Sequence, residues 1–318
     1  MKRNRIKKPF YKQAFPMIVF IFLILYTISF LLPLGWSFLT SLKTTSDFDV
    51  NRLGLPLYIF NNNPVLEKYA KLPTYNGKSN IFANYLRSFG YMQEEMFLFG
   101  KKYKVDIWGL TLNSLVYSLV ATIITTFSHA ICAYLAARYN QFPLIRSLYP
   151  IVIFSMLLPI VGNLASNLQI MRALHFYDNV LGLWIVKGSF LGTNFLIFYA
   201  TFKGISWEYA EAAFIDGASH TKVLFSIMLP LAGTTLSALF VLCFITYWND
   251  WNVNIVYMPS FPMVAYALYR YKNNVEGDAA NMPSKVAGCL FVALPMFIMF
   301  VIFRKKLMGS LTVGGIKG

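Results

Sequence analysis

Acid is scarce in this chain. Asp and Glu together number 13 in 318 residues, histidine 3 and cysteine 3, and charged residues of both signs make up 13%. Soluble domains carry about 25% charged residues. Hydrophobic residues reach 57%, against about 45–50% in soluble domains. A soluble globule cannot hide that much apolar surface, and a disordered chain needs low hydrophobicity. The composition therefore leaves an integral membrane protein. Cys132, Cys243 and Cys289 lie far apart inside apolar runs. They form neither a disulfide framework nor a metal-ligand spacing, and read as inert buried thiols. The three histidines are also dispersed, and structural roles are expected for His129 and His220. No Gly-x-x-x-x-Gly-Lys-Ser/Thr occurs, so this chain has no P-loop with which to hold ATP. Glu208 and Glu211 stand three apart with no pocket implied, which makes acid/base catalysis an unlikely use for them. No internal repeat suggests the inverted halves of a secondary transporter.

The excess of base over acid, a formal charge of +15, would point to nucleic acid in a soluble protein. In a membrane chain it reports topology instead, because Lys and Arg collect beside the cytoplasmic ends of spans. A span needs about 20 mostly apolar residues. Six stretches qualify: Met17–Leu39, Thr111–Tyr134, Ser147–Ala165, Leu181–Phe202, Leu231–Tyr247 and Val286–Phe303. The first follows Lys2, Arg3, Arg5, Lys7, Lys8 and Lys12. It is longer than a signal-peptide core and no small-residue cleavage site follows, so a retained helix is expected. An even number of spans puts both ends on one side. The basic residues at the start and Arg304, Lys305 and Lys306 at the end place that side in the cytoplasm. Arg138 and Arg146, in the short loop after the second span, agree.

The expected organisation is all-α and polytopic. It comprises a basic N-terminus (1–16), a first span (17–39), an external segment (40–109), a five-span core (110–303) and a cytoplasmic tail (304–318). The external segment holds Pro56, Pro64, Pro73, the Asn61-Asn62-Asn63 run and an Asn76-Gly77 turn signal among interleaved aromatics. It reads as a small folded cap or docking surface. Pro150 and Pro159 predict a bent third span whose freed carbonyls need neighbours.

One stretch, Lys203–Pro230, does not belong in lipid. Ser206 can cap a helix with Glu208 in its first turn. Trp207, Ala210 and Phe214 form an apolar stripe, and Gly217 can end the helix in a positive-φ conformation. Ser219 can cap a second helix with Val223, Leu224, Ile227 and Met228 on one face, before Pro230. Two short helices joined by a tight turn result. They would lie on the lipid surface or fit a partner protein.

Seven residues inside the spans are weighed for function, five of them (Lys187, Asn194, Trp248, Asn249 and Asp250) as candidates for a substrate path. Lys187 is a costly intramembrane charge and a functional candidate, unless it snorkels to the nearby outer end. Asn194 lies one heptad further along the same predicted helix. Gly188 and Gly192 make a Gly-x-x-x-Gly spacing suited to helix packing. Trp248, Asn249 and Asp250 fit either an interfacial aromatic belt or a path for sugars, which stack on aromatic rings and bond to amides and carboxylates.

Within Lys203–Pro230, Glu211-Ala212-Ala213, Asp216-Gly217-Ala218, Ile227 and Leu229-Pro230 match in type and spacing the EAA loop of ABC-importer permeases. The chain also resembles the maltose-type sugar permeases. The similarity is carried by Asn113-Ser114, by Tyr134-Leu135-Ala136-Ala137-Arg138, by Tyr247-Trp248-Asn249-Asp250-Trp251 and by the closing Leu311–Gly318. It spans Asn113 to Gly318 and the first span. It does not extend over Thr40–Gly109, which is longer than in typical members. The resemblance implies a permease of a bacterial or archaeal plasma membrane that moves sugar inward. Glu211, Ala212, Ala213, Asp216, Gly217, Ile227, Leu229 and Pro230 would then contact an ATPase. It further implies a second permease, two ATPase subunits that use the ATP, and an external solute-binding protein. The chain itself would bind no cofactor, metal or nucleic acid. The competing expectations are a stand-alone secondary transporter or channel, which the EAA spacing opposes, and an ABC permease for a non-sugar solute, which the Trp-Asn-Asp segment opposes.

Overall fold

A computed structural model describes residues 10–60, 64–98, 100–158, 162, 164–274 and 281–313. The basic cluster up to Lys8, the Asn61–Asn63 run, Pro159 and the closing 314–318 lie outside the described residues. The chain divides into two compact units, residues 1–91 with 274–291 and residues 92–273 with 292–318.

The first unit opens with α1 (Phe10–Ser41). Residues 15–35 are all exposed within the chain, and burial begins only at its end, with Thr40 and Ser41. An all-round apolar helix with no protein cover is one that faces lipid. Its C-terminal end is different. There Asn84 donates from Nδ2 to the carbonyls of Ser41 at 2.8 Å and Lys43 at 2.7 Å, capping carbonyls that a helix end leaves open. Asn84 sits on α3 (Ala83–Tyr91), which follows α2 (Thr45–Val50), a single 3₁₀ turn (Pro64–Tyr69) and a two-residue hairpin, β1 (Thr74–Tyr75) with β2 (Lys78–Ser79). The expected Asn76-Gly77 turn joins these strands, both residues having positive φ (50° and 76°), as a tight hairpin requires.

The second unit begins with hairpin β3 (Glu94–Leu98) and β4 (Lys101–Val105), paired antiparallel from Glu94↔Val105 to Leu98↔Lys101. The segment 40–109 is thus folded, but as two pieces that belong to different units, not as one cap. Asp106 then caps α4 (Ile107–Arg138), accepting from Gly109 N at 3.0 Å; this cap starts the helix four residues before Thr111. The buried face of α4 is built from small and hydroxyl residues: Ser114, Ser118, Ala121, Thr122, Thr126, Ala130 and Ala133. In lipid, where apolar burial drives little, such residues favour association by letting helices approach closely. Two helices use this face, α9 (Thr193–Gly204) and α13 (Gly233–Trp248). Phe195, Phe198 and Phe202 of α9 are fully buried in the resulting core.

Between α4 and α9 lie α5 (Pro143–Arg146), α6 (Leu148–Leu157), α7 (Leu164–Ala173) and α8 (Val180–Lys187). Within Ser147–Ala165, α6 ends at Leu157 and α7 begins at Leu164. Leu158 turns to extended geometry, the conformation a residue before proline favours. The stretch Leu181–Phe202 is likewise two helices and not one, with 188–192 between them. This overturns the Gly-x-x-x-Gly packing reading: Gly188 is the C-cap of α8 and Gly192, with φ 124°, precedes α9. The two share no helical face, and Lys187 and Asn194 stand on different helices. Between α9 and α13 lie α10 (Glu208–Ile215), α11 (His220–Val223) and, after a π turn, α12 (Leu229–Leu231). The chain bends by 79° between His220–Leu231 and α13. Helices α14 (Asn252–Val256) and α15 (Val264–Asn274) follow. The last helix, α16 (Met282–Val313), is continuous and takes in residues 304–313 of the expected tail. Its Val292 carbonyl accepts from Trp248 Nε1 at 2.9 Å.

By length and composition, α1 from Phe15, α4 and α16 to Lys305 can each cross a membrane, and the bent pair ending in α13 makes a fourth.

Candidate functional site

Helix α10 carries Glu208 and Glu211 in its first turn, where the helix dipole favours acids. Ser206 Oγ accepts from Glu208 N at 3.4 Å. One side of the helix enters the core: Ala210 is fully buried, with Trp207, Ala213 and Phe214 packed beside it. The other side is bare. Tyr209, Glu211, Ala212, Ile215 and Asp216 are exposed, Ile215 at 86%. Gly217 ends the helix at φ +79° with open space where a Cβ would stand. The constraint there is thus backbone geometry and not room. Ser219 caps α11 by accepting from Lys222 N at 3.3 Å.

The eight EAA-type residues fall into two groups. Glu211, Ala212, Asp216 and Gly217 are exposed. Leu229 is buried in the core, with Ile227 half-buried and Ala213 packed against it. Pro230 is exposed at the start of α12.

The second span holds this segment directly. Arg138, at the end of α4, donates from Nη2 to the carbonyls of Phe202 and Ile205, and its guanidinium lies 5.2 Å from the Trp207 ring. Tyr139 meets Trp207 edge-on at 6.3 Å and places its hydroxyl 2.8 Å from His220 Nδ1. Phe214 packs on the other side of the His220 ring at 4.8 Å. These contacts bind α4, α9, α10 and α11 into one piece. The sequence marks Arg138 as a topology signal and as the end of a family-like helix, and gives no contact role to it, to Tyr139 or to Ile215. The available cue was an arginine and a tyrosine closing an apolar run ahead of an aromatic-rich loop.

A second feature is a cavity of about 430 Å³ lined by Asn167, Met171, Lys187, Asp250, Asn252 and Tyr257, among others. Lys187 is the last residue of α8, and its Nζ stands 4.8 Å from the Tyr247 ring centroid. Asp250 Oδ1 accepts from Val253 N at 3.3 Å. Of the five path candidates, these two meet in the cavity. Trp248 is 2% exposed and packs against Phe244, which places it in the core and not in an interfacial belt. Asn249 is exposed and bonds its own helix at Ile245 O (2.9 Å) and the Met296 sulfur (3.0 Å). Asn194 bonds Cys243 Sγ at 3.3 Å. Asn167, Asn252 and Tyr257 were not singled out from sequence, because loops and short helices bring them together. Asn113 and Ser114 tie the loop before α15 to α4, the first donating to Pro262 O at 3.0 Å and the second accepting from Val264 N at 2.8 Å.

A long apolar core, a capped helix pair held by the end of an apolar helix, and a mixed-charge cavity among helices are consistent with a membrane transport subunit. Residues 129–307 match the family described as binding-protein-dependent transport system inner membrane component. The chain belongs to this family: it is a membrane-embedded permease subunit of an ABC transporter and a transport component, not an enzyme. The inner membrane ABC transporter permease protein YcjP of Escherichia coli is 30% identical over 65% of this chain and 73% of its own length. The sulfoquinovosyl glycerol transport system permease protein SmoH of Agrobacterium fabrum is 26% identical over 91% and 89%. The trehalose transport system permease protein SugB of Mycobacterium tuberculosis is 26% identical over 65% and 76%. A crystal structure of a bacterial ABC transporter that imports the acidic polysaccharide alginate contains a chain of the same fold. That chain has a TM-score of 0.69 and 19% identity, covering 94% of this chain and 98% of the other.

Proposed function

We propose that this permease carries a sugar or oligosaccharide inward, delivered by an external binding protein and driven by separate ATPase subunits. The observation that carries the reading is the bare face of α10. It presents Glu211, Ala212, Ile215 and Asp216 beside a positive-φ Gly217, while its opposite face is locked to the core. ATP-driven closure of partner subunits has to reach the spans as a rigid-body movement. A capped helix fixed to the ends of α4 and α9 can carry one. Glu211 and Asp216 would accept charge-assisted hydrogen bonds from the ATPase, and Ile215 would fill an apolar pocket of it. The assembly would be two permeases, this chain paired with a different one, and two ATPases.

The spans in this reading are α1, α4, the stretch Ser147–Ala165 that contains α6, α8 with α9, α13 and α16, with both termini cytoplasmic and 40–109 external. Helices α8 and α9 have 8 and 12 residues. At 1.5 Å each, they sum to ~30 Å, the thickness of the hydrocarbon core. Lys187 and Asp250 would bind sugar hydroxyls in the cavity, and Trp248, Asn249 and Asn194 would position the helices around it. Carbohydrate as cargo is favoured by the relatives named for trehalose and sulfoquinovosyl glycerol.

The test is uptake of radiolabelled sugars by cells with and without the gene, using trehalose, arabino-oligosaccharides, diacetylchitobiose and alginate oligosaccharides. ATP-dependent uptake of at least one that vanishes on deletion is expected. Loss of amino-acid, phosphate or polyamine uptake with all sugars unaffected would overturn the assignment.

A further inference from the structure

The break between α8 and α9 is a backbone problem in the middle of an apolar stretch. Carbonyls freed there need partners, because an unsatisfied one in hydrocarbon costs several kcal/mol. The break closes part of its own ledger, with Gly188 N donating to Ile185 O at 3.0 Å and Ser189 N to Val186 O at 3.3 Å. The carbonyls of Lys187 and Leu191 are met from outside. Thr125 Oγ1 donates to Lys187 O at 2.9 Å, and His129 Nε2 lies 3.2 Å from Leu191 O. Thr125 and His129 are four residues apart on α4, so they share one face.

We propose that Thr125 and His129 are positioning residues of the transport site: they hold the break open and thereby fix where Lys187 stands in the cavity. The bond pattern supports a specific directionality. A threonine hydroxyl has one proton, and here it goes to Lys187 O. Tyr247 Oη, 2.8 Å from the same Oγ1, is therefore the donor to it. The Tyr247 ring lies 4.8 Å from Lys187 Nζ. Thr125 thus fixes the backbone of Lys187 directly and its side chain through Tyr247. His129 Nδ1 lies 2.7 Å from Thr125 O, and both ring nitrogens face oxygens that can only accept. A proton on Nε2 caps Leu191, and a ring carrying both protons donates at each. Gly192 supplies the φ of 124° that returns the chain to helix, and a Cβ there would meet His129 Nε2 at 4.0 Å. The limit at Gly192 is thus conformational.

The consequence for uptake rests on the reading of the cavity as part of the solute path; the positioning itself does not. The test uses the full chain in its assembled transporter, with Cys132, Cys243 and Cys289 replaced by alanine and Lys187→Cys as reporter. The readout is the rate of modification by N-ethylmaleimide. Thr125→Val keeps the shape and removes the hydroxyl; Thr125→Ser keeps the hydroxyl and removes a methyl. The expected result is a rate changed by about tenfold in Thr125→Val, the equivalent of one lost bond at ~1.4 kcal/mol, and within about twofold of the parent in Thr125→Ser. The pair His129→Leu and His129→Gln repeats the comparison at the second carbonyl, with Gln retaining a donor, and carries the test alone if Thr125→Val does not insert. Parent rates in the Val and Leu variants, or altered rates that track shape in place of the donor, would overturn the proposal. Uptake is measured with the same Thr125 and His129 variants in a protein that keeps Lys187, and altered labelling of the reporter matched by a raised KM there supports both readings. Altered labelling with unchanged uptake leaves the clamp standing and removes the cavity from the path.

Discussion

The hydroxyl of Tyr139 lies 2.8 Å from Nδ1 of His220, joining the residue after the second span to the helix that follows Gly217. Arg138, its neighbour, covers two carbonyls at the end of α9 and stacks on Trp207. Tyr139→Phe keeps the ring contact with Trp207 and loses a partly solvated hydrogen bond, at a cost of about 1 kcal/mol. Arg138→Lys loses a planar group that serves two acceptors and an aromatic face, which an ammonium cannot reproduce. It is expected to cost about 2 kcal/mol or more. Thermal unfolding of the detergent-purified transporter checks the order. A larger shift for Tyr139→Phe than for Arg138→Lys would contradict it.

Gly217 stands at φ +79° with nothing within 4 Å of a built Cβ. Gly217→Ala should therefore cost ~1–2 kcal/mol through backbone strain alone. Gly217→Asn should cost less, because Asn tolerates the left-handed region. Gly217→Asp adds a carboxylate beside Asp216 at the proposed contact and should weaken ATPase retention most. The measurement is the amount of ATPase that co-purifies with each variant at equal permease yield.

In the cavity, Lys187→Met and Asp250→Asn remove one charge each without changing size greatly. Both variants should insert and retain the ATPase. Their KM for sugar uptake should rise by about tenfold, as expected for one lost charge-assisted bond worth ~1.5–3 kcal/mol. Unchanged uptake kinetics in both would remove this cavity from the path.

Two carboxyls outside the spans titrate against the usual direction. Burial pushes Asp47 above the ordinary carboxylate range, although the bond from Leu57 N and the charge of Lys43 pull it back. Burial pushes Glu94 up as well, opposed by Arg270. A carboxyl raised in the folded state contributes stability that is fully present below its unfolded pKa of about 4. That contribution is lost as pH rises through the raised folded value. Unfolding should become easier across that window as pH rises. Asp47→Asn, which keeps an oxygen to accept from Leu57 N, should flatten the dependence. Melting temperatures between pH 4 and pH 7 give the answer, and a parent protein that is steadily more stable with rising pH in this window would contradict it.

Local signals in the sequence were read well wherever one segment decides its own structure. Gly217 ends one helix and Ser219 starts the next, because positive φ and capping are local properties. Asn76-Gly77 turns a hairpin for the same reason. The resemblance in Lys203–Pro230 identified the segment that α10 and α11 occupy. Hydropathy missed what neighbours decide. The run Leu181–Phe202 is apolar enough to pass for one helix, and its break is visible only once Thr125 and His129 are seen to satisfy the freed carbonyls. Trp248 looked interfacial because it ends a run, but α16 supplies a carbonyl for its indole N–H. Residues 304–313 continue the last helix, which the basic and glycine residues there do not announce in the hydropathy pattern. The segment 40–109 looked like one cap because it is contiguous, while its two hairpins belong to separate units.

The central claim is that the bare face of α10 docks the ATPase. Ile215, 86% exposed at its tip, tests it most directly, because a helix lying on lipid or facing solvent has no use for that side chain in holding another protein. Ile215→Asp should leave folding and insertion intact and remove the ATPase from the detergent-purified complex, with ATP-driven uptake lost in parallel. Co-purification of the ATPase at parental levels with Ile215→Asp, together with parental uptake, would contradict the account.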